Sequence, residues 1–338
     1  MTRIHRVALA IAVLGLVIAP RFQARANQET LNAYAEFRKG DTLIIDGQRV
    51  KWRQGAKFKG QGNVKNFDQV PLGWEAVVKG VRQPDGSILA DELQVKPNGT
   101  QAFEKDVKNA TDQMEQQWLK AGHITQQDSS GKEVNEGALH TSGPDVDRVH
   151  GVIGKLIPSY LKASDFRVYV AENKDWNAFA CANGMIVVYD ALLHDTNDDE
   201  LAIVLGHELT HATHEHSRKN YSSSMKVGIF GAVGGALLAG KTGMGANVAQ
   251  LGAALTLNAV QNGYGRDKED QADRVGLRYA YEGGFDVQQG PKLWNRFAQK
   301  YGSQSGAVNF FFGNHSTAEV RAKNLQVEIQ HNYSGQQK

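Results

Sequence analysis

A short motif of the pattern H-E-x-x-H constrains this chain more than any other feature. His207, Glu208 and His211 form it, directly after an apolar run at 201–205. Such a run favours a buried helix, and on a helix positions four apart lie on one face. The two imidazoles are therefore expected to point the same way. The Glu208 carboxylate, one residue after His207, is expected beside that face of the helix.

Two histidines in this arrangement can bind one metal ion, and the glutamate between them can act as general base on a metal-bound water, as in zinc proteases. The alternative is a helix with two solvated or capped histidines and a surface glutamate. The apolar run argues against it, because buried histidines need partners. One extended zinc motif requires Gly at 214 and His at 217, but the chain has His214 and Ser217 there, so the third ligand must come from elsewhere.

The N-terminus predicts a secretory signal peptide over residues 1–26. Arg3 and Arg6 precede an apolar core at 7–19, and a small-residue cleavage site ends at Ala26, before Asn27. The apolar core is too short to span a bilayer. We therefore expect an exported protein, periplasmic or secreted, with retention of the segment as an anchor as the alternative.

The amino-acid composition limits the classes of binding partner and the possibility of disulfide bonds. The net charge is +2, from 38 basic and 36 acidic residues, which indicates neither nucleic acid nor an anionic membrane as a partner. Cys181 is the only cysteine, so it forms no internal disulfide, and its neighbours predict a buried thiol.

Residues 34–97 have the pattern of a small all-β domain. Short β-prone segments alternate with turn signals such as Asp46-Gly47 and Pro84-Asp85-Gly86. Their even spacing predicts a small barrel. The segment resembles the small exported bacterial β-barrel domains of unknown function. Residues 98–144 are polar and are predicted to be a linker that carries one helix near 103–121.

Residues 145–335 predict a mainly helical second domain with a small sheet, so the overall fold class is α+β. Strands are expected at 166–170 and 185–189, and the H-E-x-x-H helix at 198–216, with Asn197 as its N-cap. A Gly/Ala-rich apolar stretch at 227–259 predicts a helical hairpin.

A second helix offers candidates for the third metal ligand. Glu269 and Asp273 are four apart, so they share a face of a helix that should end at Gly283-Gly284. One carboxylate can bind the metal while the other orients a ligand histidine. A solvated charged face is the alternative reading, and it suits Asp270.

Four ordered motifs between 145 and 327 carry a resemblance to a known family. The chain resembles the gluzincin metallopeptidases of the CAAX-prenyl-endopeptidase family, including their soluble exported bacterial members. The motifs are Asn177-Ala178-Phe179-Ala180 followed by a strand, His207-Glu208-x-x-His211 with His216 beyond, Arg266-x-x-Glu269-x-x-Ala272-Asp273, and His315-Ser316-Thr317-x-x-x-Arg321. In the last motif Ser316 replaces the usual proline, which puts the rigidity of that loop in doubt.

The resemblance implies one zinc ion per chain on His207, His211 and Glu269, with Glu208 as the general base and a polypeptide as the substrate. His315 would stabilise the oxyanion, and the alternative is a helix-capping or structural histidine. Arg321 would position His315 or bind a substrate carboxylate, and Asp273 would orient a ligand.

The segment Asn177, Ala178 and Phe179 would bind substrate by adding a strand, which reads the backbone. Two functions therefore stand open. One is a zinc endopeptidase that removes misfolded envelope proteins. The other is an envelope chaperone or binding protein with weak or latent peptidase activity. The barrel is a candidate surface for an envelope partner in both, and contact with a membrane stays open.

Overall fold

A computed structural model describes residues 28–97, 102–127, 133–214, 216, 266–302 and 317–333. The predicted signal peptide, the predicted hairpin at 227–259 and His315 lie outside the described residues. None of the helices in the described ranges combines the length and apolar composition needed to cross a bilayer.

The N-terminal unit is the predicted small barrel. Its strands are β1 (Gln28–Lys39), β2 (Thr42–Ile45), β3 (Gln48–Lys59), β4 (Glu75–Arg82) and β5 (Ile88–Lys96). They close in the order β1-β2-β3-β5-β4, and β3 pairs with β5 in parallel. Alternating apolar side chains fill the interior, among them Leu43, Ile45, Val50 and Leu93. The first strand begins at Gln28, before the predicted boundary at 34, because its alternating N-terminal half pairs with β4.

The segment at 98–144 differs from the predicted linker. Helix α1 (Ala102–Ala121) lies where a helix was expected, but strands β6 (His123–Gln127) and β7 (Glu133–His140) follow it. Strand β7 pairs with β8 (Arg167–Ala171) in the second sheet. These strands were not predicted because they carry few apolar residues. Hydrogen bonding to neighbouring strands stabilises them although their composition does not favour a strand.

The second sheet has the order β6-β7-β8-β10-β9, where β9 is Ala178–Ala180 and β10 is Met185–Tyr189. Strand β10 is parallel to β8 and antiparallel to β9. Within the described residues β9 therefore has a strand neighbour on one side only. Cys181, directly after it, is buried as expected.

Helices cover this sheet and enclose the main core. They are α2 (Pro144–Leu156), α3 (Asp190–Asp195), α4 (Asp198–Thr213), α5 (Arg266–Glu282), α6 (Gln289–Tyr301) and α7 (Ala318–Asn332). The buried apolar faces of α2, α4, α5, α6 and α7 meet in one cluster with β8 and β10. The mixed α+β class is confirmed, with the barrel preceding a mainly helical unit.

Candidate metal centre

The H-E-x-x-H motif lies on α4, which begins with a complete capping box. The Asn197 side chain accepts a hydrogen bond from the Glu200 N–H at 2.9 Å, and the Glu200 carboxylate accepts one from the Asn197 N–H at 3.2 Å. This reciprocal pairing satisfies two N–H groups that the helix itself leaves unpaired. The helix ends at Thr213, earlier than the predicted end near 216, and His214 is its C-cap.

Two glycines let α5 approach α4 closely. A Cβ atom at Gly206 would lie 2.5 Å from the Gly276 carbonyl oxygen, and one at Gly276 would lie 2.5 Å from the His207 nitrogen. No side chain fits at either position, so the two backbones are in direct contact. This contact brings Glu269, two turns before Gly276, to the histidines of α4.

His207, His211 and Glu269 converge on one point. One ligand atom from each lies within 4.8 Å of the others, and all three residues are buried. The two Nε2 atoms are 3.0 Å apart, and Glu269 oxygens lie 3.4 Å from the His207 Nε2 and 3.7 Å from the His211 Nε2. Two imidazoles and a carboxylate are a ligand set that catalytic zinc sites use.

Asp273 holds the first histidine in orientation. Its Oδ1 accepts a hydrogen bond from Nδ1 of His207 at 2.9 Å, which leaves Nε2 with its lone pair toward the converging ligands. Arg321 donates two hydrogen bonds to the same carboxylate, at 2.8 and 2.6 Å, and its guanidinium lies 3.5 Å from the centre of the Trp294 ring.

Arg321 also packs directly against the ligands, with one guanidinium nitrogen 3.0 Å from the His207 Nδ1 and another 3.7 Å from a Glu269 oxygen. It is 1% exposed, so a substrate carboxylate would reach its guanidinium only if neighbouring side chains moved. Binding of a substrate carboxylate and positioning of His315, which lies outside the described residues, both stay predictions for Arg321.

The charges of the site suit a cation between the two histidines. Burial and the charge of Arg321 lower the pKa of His207, but its hydrogen bonds to Asp273 and Glu269 outweigh them and raise that pKa to about 9. Burial and the nearby charge of His207 hold the pKa of His211 well below its usual range. In the metal-free protein these hydrogen bonds favour a positive charge on His207, and a metal ion would supply that charge instead.

Glu208 is poised for a different task. Both of its carboxylate oxygens are buried and have no side-chain hydrogen-bond partner among the described residues, although the backbone N–H of Ala180 lowers the pKa of this carboxyl. Burial raises the pKa of Glu208 to about 8, a rise that the charge of His207 opposes and that of Glu269 supports. A buried carboxylate with so few partners is costly unless a ligand or water completes its hydrogen bonds. The donor set beside it and this incompletely hydrogen-bonded acceptor together fit a zinc ion with a water ligand.

Asp270 does not belong to the ligand cluster, although it neighbours Glu269. It is half-buried, and it is absent from the group of described residues that could hold a metal ion.

The site also contains two residues, Trp294 and Gln271, that the sequence motifs did not identify as part of it. Trp294 reaches His207, and Gln271 reaches His216, only through tertiary packing, so no local pattern marks these contacts.

The predicted substrate strand coincides with β9 at the sheet edge. The side chains of Ala178 and Phe179 are fully buried, and Phe179 packs against Trp118 and Tyr189. Any substrate contact at these two residues must therefore use the backbone. Asn177 differs, because its buried Oδ1 has no hydrogen-bond partner among the described residues.

Comparison with known proteins places the chain in a family. Residues 146–329, more than half of the chain, match the family described as Peptidase family M48. The chain belongs to this family of metallopeptidases.

Several named relatives match parts of the chain. The β-barrel assembly-enhancing protease of Yersinia pestis is 32% identical over 154 residues, which cover 43% of this chain and 30% of the relative. Metalloprotease YcaL of Escherichia coli (strain K12) is 27% identical over 179 residues, covering 52% of this chain and 67% of the relative. The mitochondrial metalloendopeptidase OMA1 of Saccharomyces cerevisiae is 30% identical over 154 residues, or 44% of this chain and 42% of the relative. The chain thus spans about a third of the length of the Yersinia protease.

Proposed function

We propose that this protein is a zinc-dependent endopeptidase that cleaves unfolded or misassembled proteins of the bacterial envelope. One observation carries the proposal. Three ligand atoms from His207, His211 and Glu269 converge within 4.8 Å, beside a buried Glu208 carboxylate that has no side-chain hydrogen-bond partner in the described structure. We further propose that the chain belongs to the CAAX-prenyl-endopeptidase branch and that it holds one zinc per chain.

Held by His207, His211 and Glu269, a zinc ion would supply Lewis acidity and make an attacking water a stronger nucleophile near neutral pH. Glu208 would accept the proton of the attacking water and return it to the leaving amine. Asp273 and Arg321 keep His207 in the tautomer whose Nε2 lone pair faces the ligand point. His315 is proposed to donate a hydrogen bond to the developing oxyanion.

The substrate is proposed to add as an extended strand to β9. The buried side chains of Ala178 and Phe179 leave the strand backbone for recognition. Backbone pairing selects extended, unfolded polypeptide and tolerates many sequences. The Asn177 Oδ1 acceptor would receive an N–H of the incoming chain.

The envelope assignment rests on the predicted signal peptide and on the relatives. Two of the relatives compared carry the names β-barrel assembly-enhancing protease and metalloendopeptidase. Export with cleavage after Ala26 and a role in protein quality control are proposed on that basis. The N-terminal barrel is proposed as a surface for an envelope protein partner.

The decisive test is cleavage of a permanently unfolded protein by the zinc-loaded protein. Wild type should cleave it, a chelator should stop cleavage, and zinc should restore it. Glu208→Gln should be inactive at unchanged zinc content, because an amide cannot accept the water proton. Suppression of aggregation by wild type and Glu208→Gln alike, with no cleavage by either, would overturn the proposal in favour of a chaperone.

A further inference from the structure

The barrel contacts the metal-binding unit through one buried acidic side chain. Glu36, on β1, is 4% exposed and lies against helix α5. Its Oε1 accepts a hydrogen bond from Nε2 of Gln271 at 2.8 Å and lies 3.3 Å from a guanidinium nitrogen of Arg274. Its Oε2 accepts a hydrogen bond from the Gly47 N–H at 2.9 Å.

The contacts continue from Gln271 into the metal centre. The Gln271 Oε1 is 3.0 Å from Nε2 of His216, and Nδ1 of His216 is 2.9 Å from Nδ1 of His211. All four side chains in this series are buried. The four side chains form an unbroken row of hydrogen bonds from the barrel to a proposed metal ligand; we call Glu36, Gln271, His216 and His211 the relay.

Donor and acceptor chemistry gives the relay one direction. Three donors converge on Glu36, so it serves as an acceptor; burial raises the pKa of Glu36, and Arg274, Gln271 and Gly47 oppose that rise. The Gln271 amide must then turn its NH2 toward Glu36 and its oxygen toward His216.

This orientation propagates to the ligand. His216 donates from Nε2 to the Gln271 oxygen, so its Nδ1 is an acceptor and receives the Nδ1–H of His211. Nε2 of His211 is thereby left with its lone pair, and this is the atom that faces His207 and Glu269. A flipped Gln271 amide would reverse every bond and place a proton on Nε2 of His211.

We propose that Glu36 is a positioning residue for the metal ligand His211 and acts through Gln271 and His216. The barrel is then part of the metal site and not merely an attached module. This inference rests on the proposed zinc site, because the tautomer of His211 matters only if Nε2 binds a metal.

Zinc affinity of a matched set of variants tests the proposal. Glu36→Gln removes the acceptor-only group with little change in shape, and should weaken zinc binding about tenfold, at the lower end of the range for lost outer partners. Asp46→Asn is the control, because Asp46 also pairs with Arg274, at 3.2 Å, but lies outside the relay. It should leave the zinc affinity unchanged.

A double variant that exchanges the side chains at positions 36 and 271 tests whether the direction of the hydrogen bonds, and not only the packing, determines zinc affinity. In Glu36→Gln combined with Gln271→Glu, the new carboxylate at 271 accepts from His216 and the new amide at 36 donates to it, so the direction is restored. We expect zinc affinity close to wild type. Equal affinity of wild type and Glu36→Gln, or failure of the folded double variant to recover, would overturn the proposal.

A measurement on the wild type covers the case in which Glu36→Gln does not fold. Nitrogen-15 NMR of histidine-labelled, zinc-loaded protein should show His216 protonated on Nε2 and His211 protonated on Nδ1. His216 protonated on Nδ1 instead would overturn the relay. Zinc bound at one per chain in that same sample would show that the proposed metal site stands regardless.

Discussion

Replacement of Gly276 by alanine should destabilise the protein, although alanine is the better helix former. Gly276 lies inside α5, and an added Cβ would lie 2.5 Å from the His207 nitrogen and 2.6 Å from the Gly206 carbonyl carbon. Alanine gains roughly 1 kcal/mol in a helix interior, whereas overpacking costs about 1–3 kcal/mol. The atoms in the way belong to backbone and cannot rotate aside, so we take the upper end and expect a net loss of about 2 kcal/mol.

The assay is urea unfolding of metal-free protein, which removes any contribution from zinc binding. Gly151→Ala is the matched control, because Gly151 lies on α2 with no atom within 4 Å of its added Cβ. The control should gain up to about 1 kcal/mol. Gly276→Ala should also bind zinc more weakly, because Glu269 moves away with α5. Equal or greater stability of Gly276→Ala than wild type would refute the close helix contact.

Three further outcomes follow from the site. Glu208→Gln should keep its zinc while losing all cleavage, and loss of zinc measured in this variant would show that Glu208 is a ligand. Asp273→Ala should weaken zinc binding roughly 10- to 100-fold in a competition titration, because His207 loses its orienting acceptor, and an unchanged affinity would contradict that role. The pKa of Glu208 rises from 4.5 to about 8, so the folded metal-free protein binds more protons than the unfolded chain between these values and its free energy of unfolding should fall as pH rises through them. Glu208→Gln should flatten that fall in urea titrations at several pH values, and an unaltered slope would show that Glu208 is not the group responsible.

Local spacing was enough to predict the metal helix and the helix that faces it. Positions four apart placed His207 with His211 and Glu269 with Asp273, and Asn197 marked the first turn of α4. The even turn spacing also predicted the closed barrel. The helix features depend on residues near one another in the chain, and each barrel strand depends on its own alternation of apolar and polar residues.

Other features depend on contacts that no local pattern records. Gly206 and Gly276 are 70 positions apart, and neither glycine looks different from others in a helix until the two backbones meet. Glu36 and Gln271 are separated by 235 positions. Strands β6 and β7 have polar sequences, pair with each other, and join the second sheet where the end of β7 pairs with β8. Tertiary packing overrides composition in these cases.

The identity of the third ligand tests the central claim most directly. Native mass spectrometry of purified wild type, Glu269→Ala and Asp270→Ala counts zinc ions per chain under one set of conditions. Glu269 lies 3.4 Å from the His207 Nε2, whereas Asp270 is outside the ligand cluster in the described residues. We predict one zinc per chain for wild type and Asp270→Ala, and little or none for Glu269→Ala. Zinc retained by Glu269→Ala and lost from Asp270→Ala would contradict the metal site.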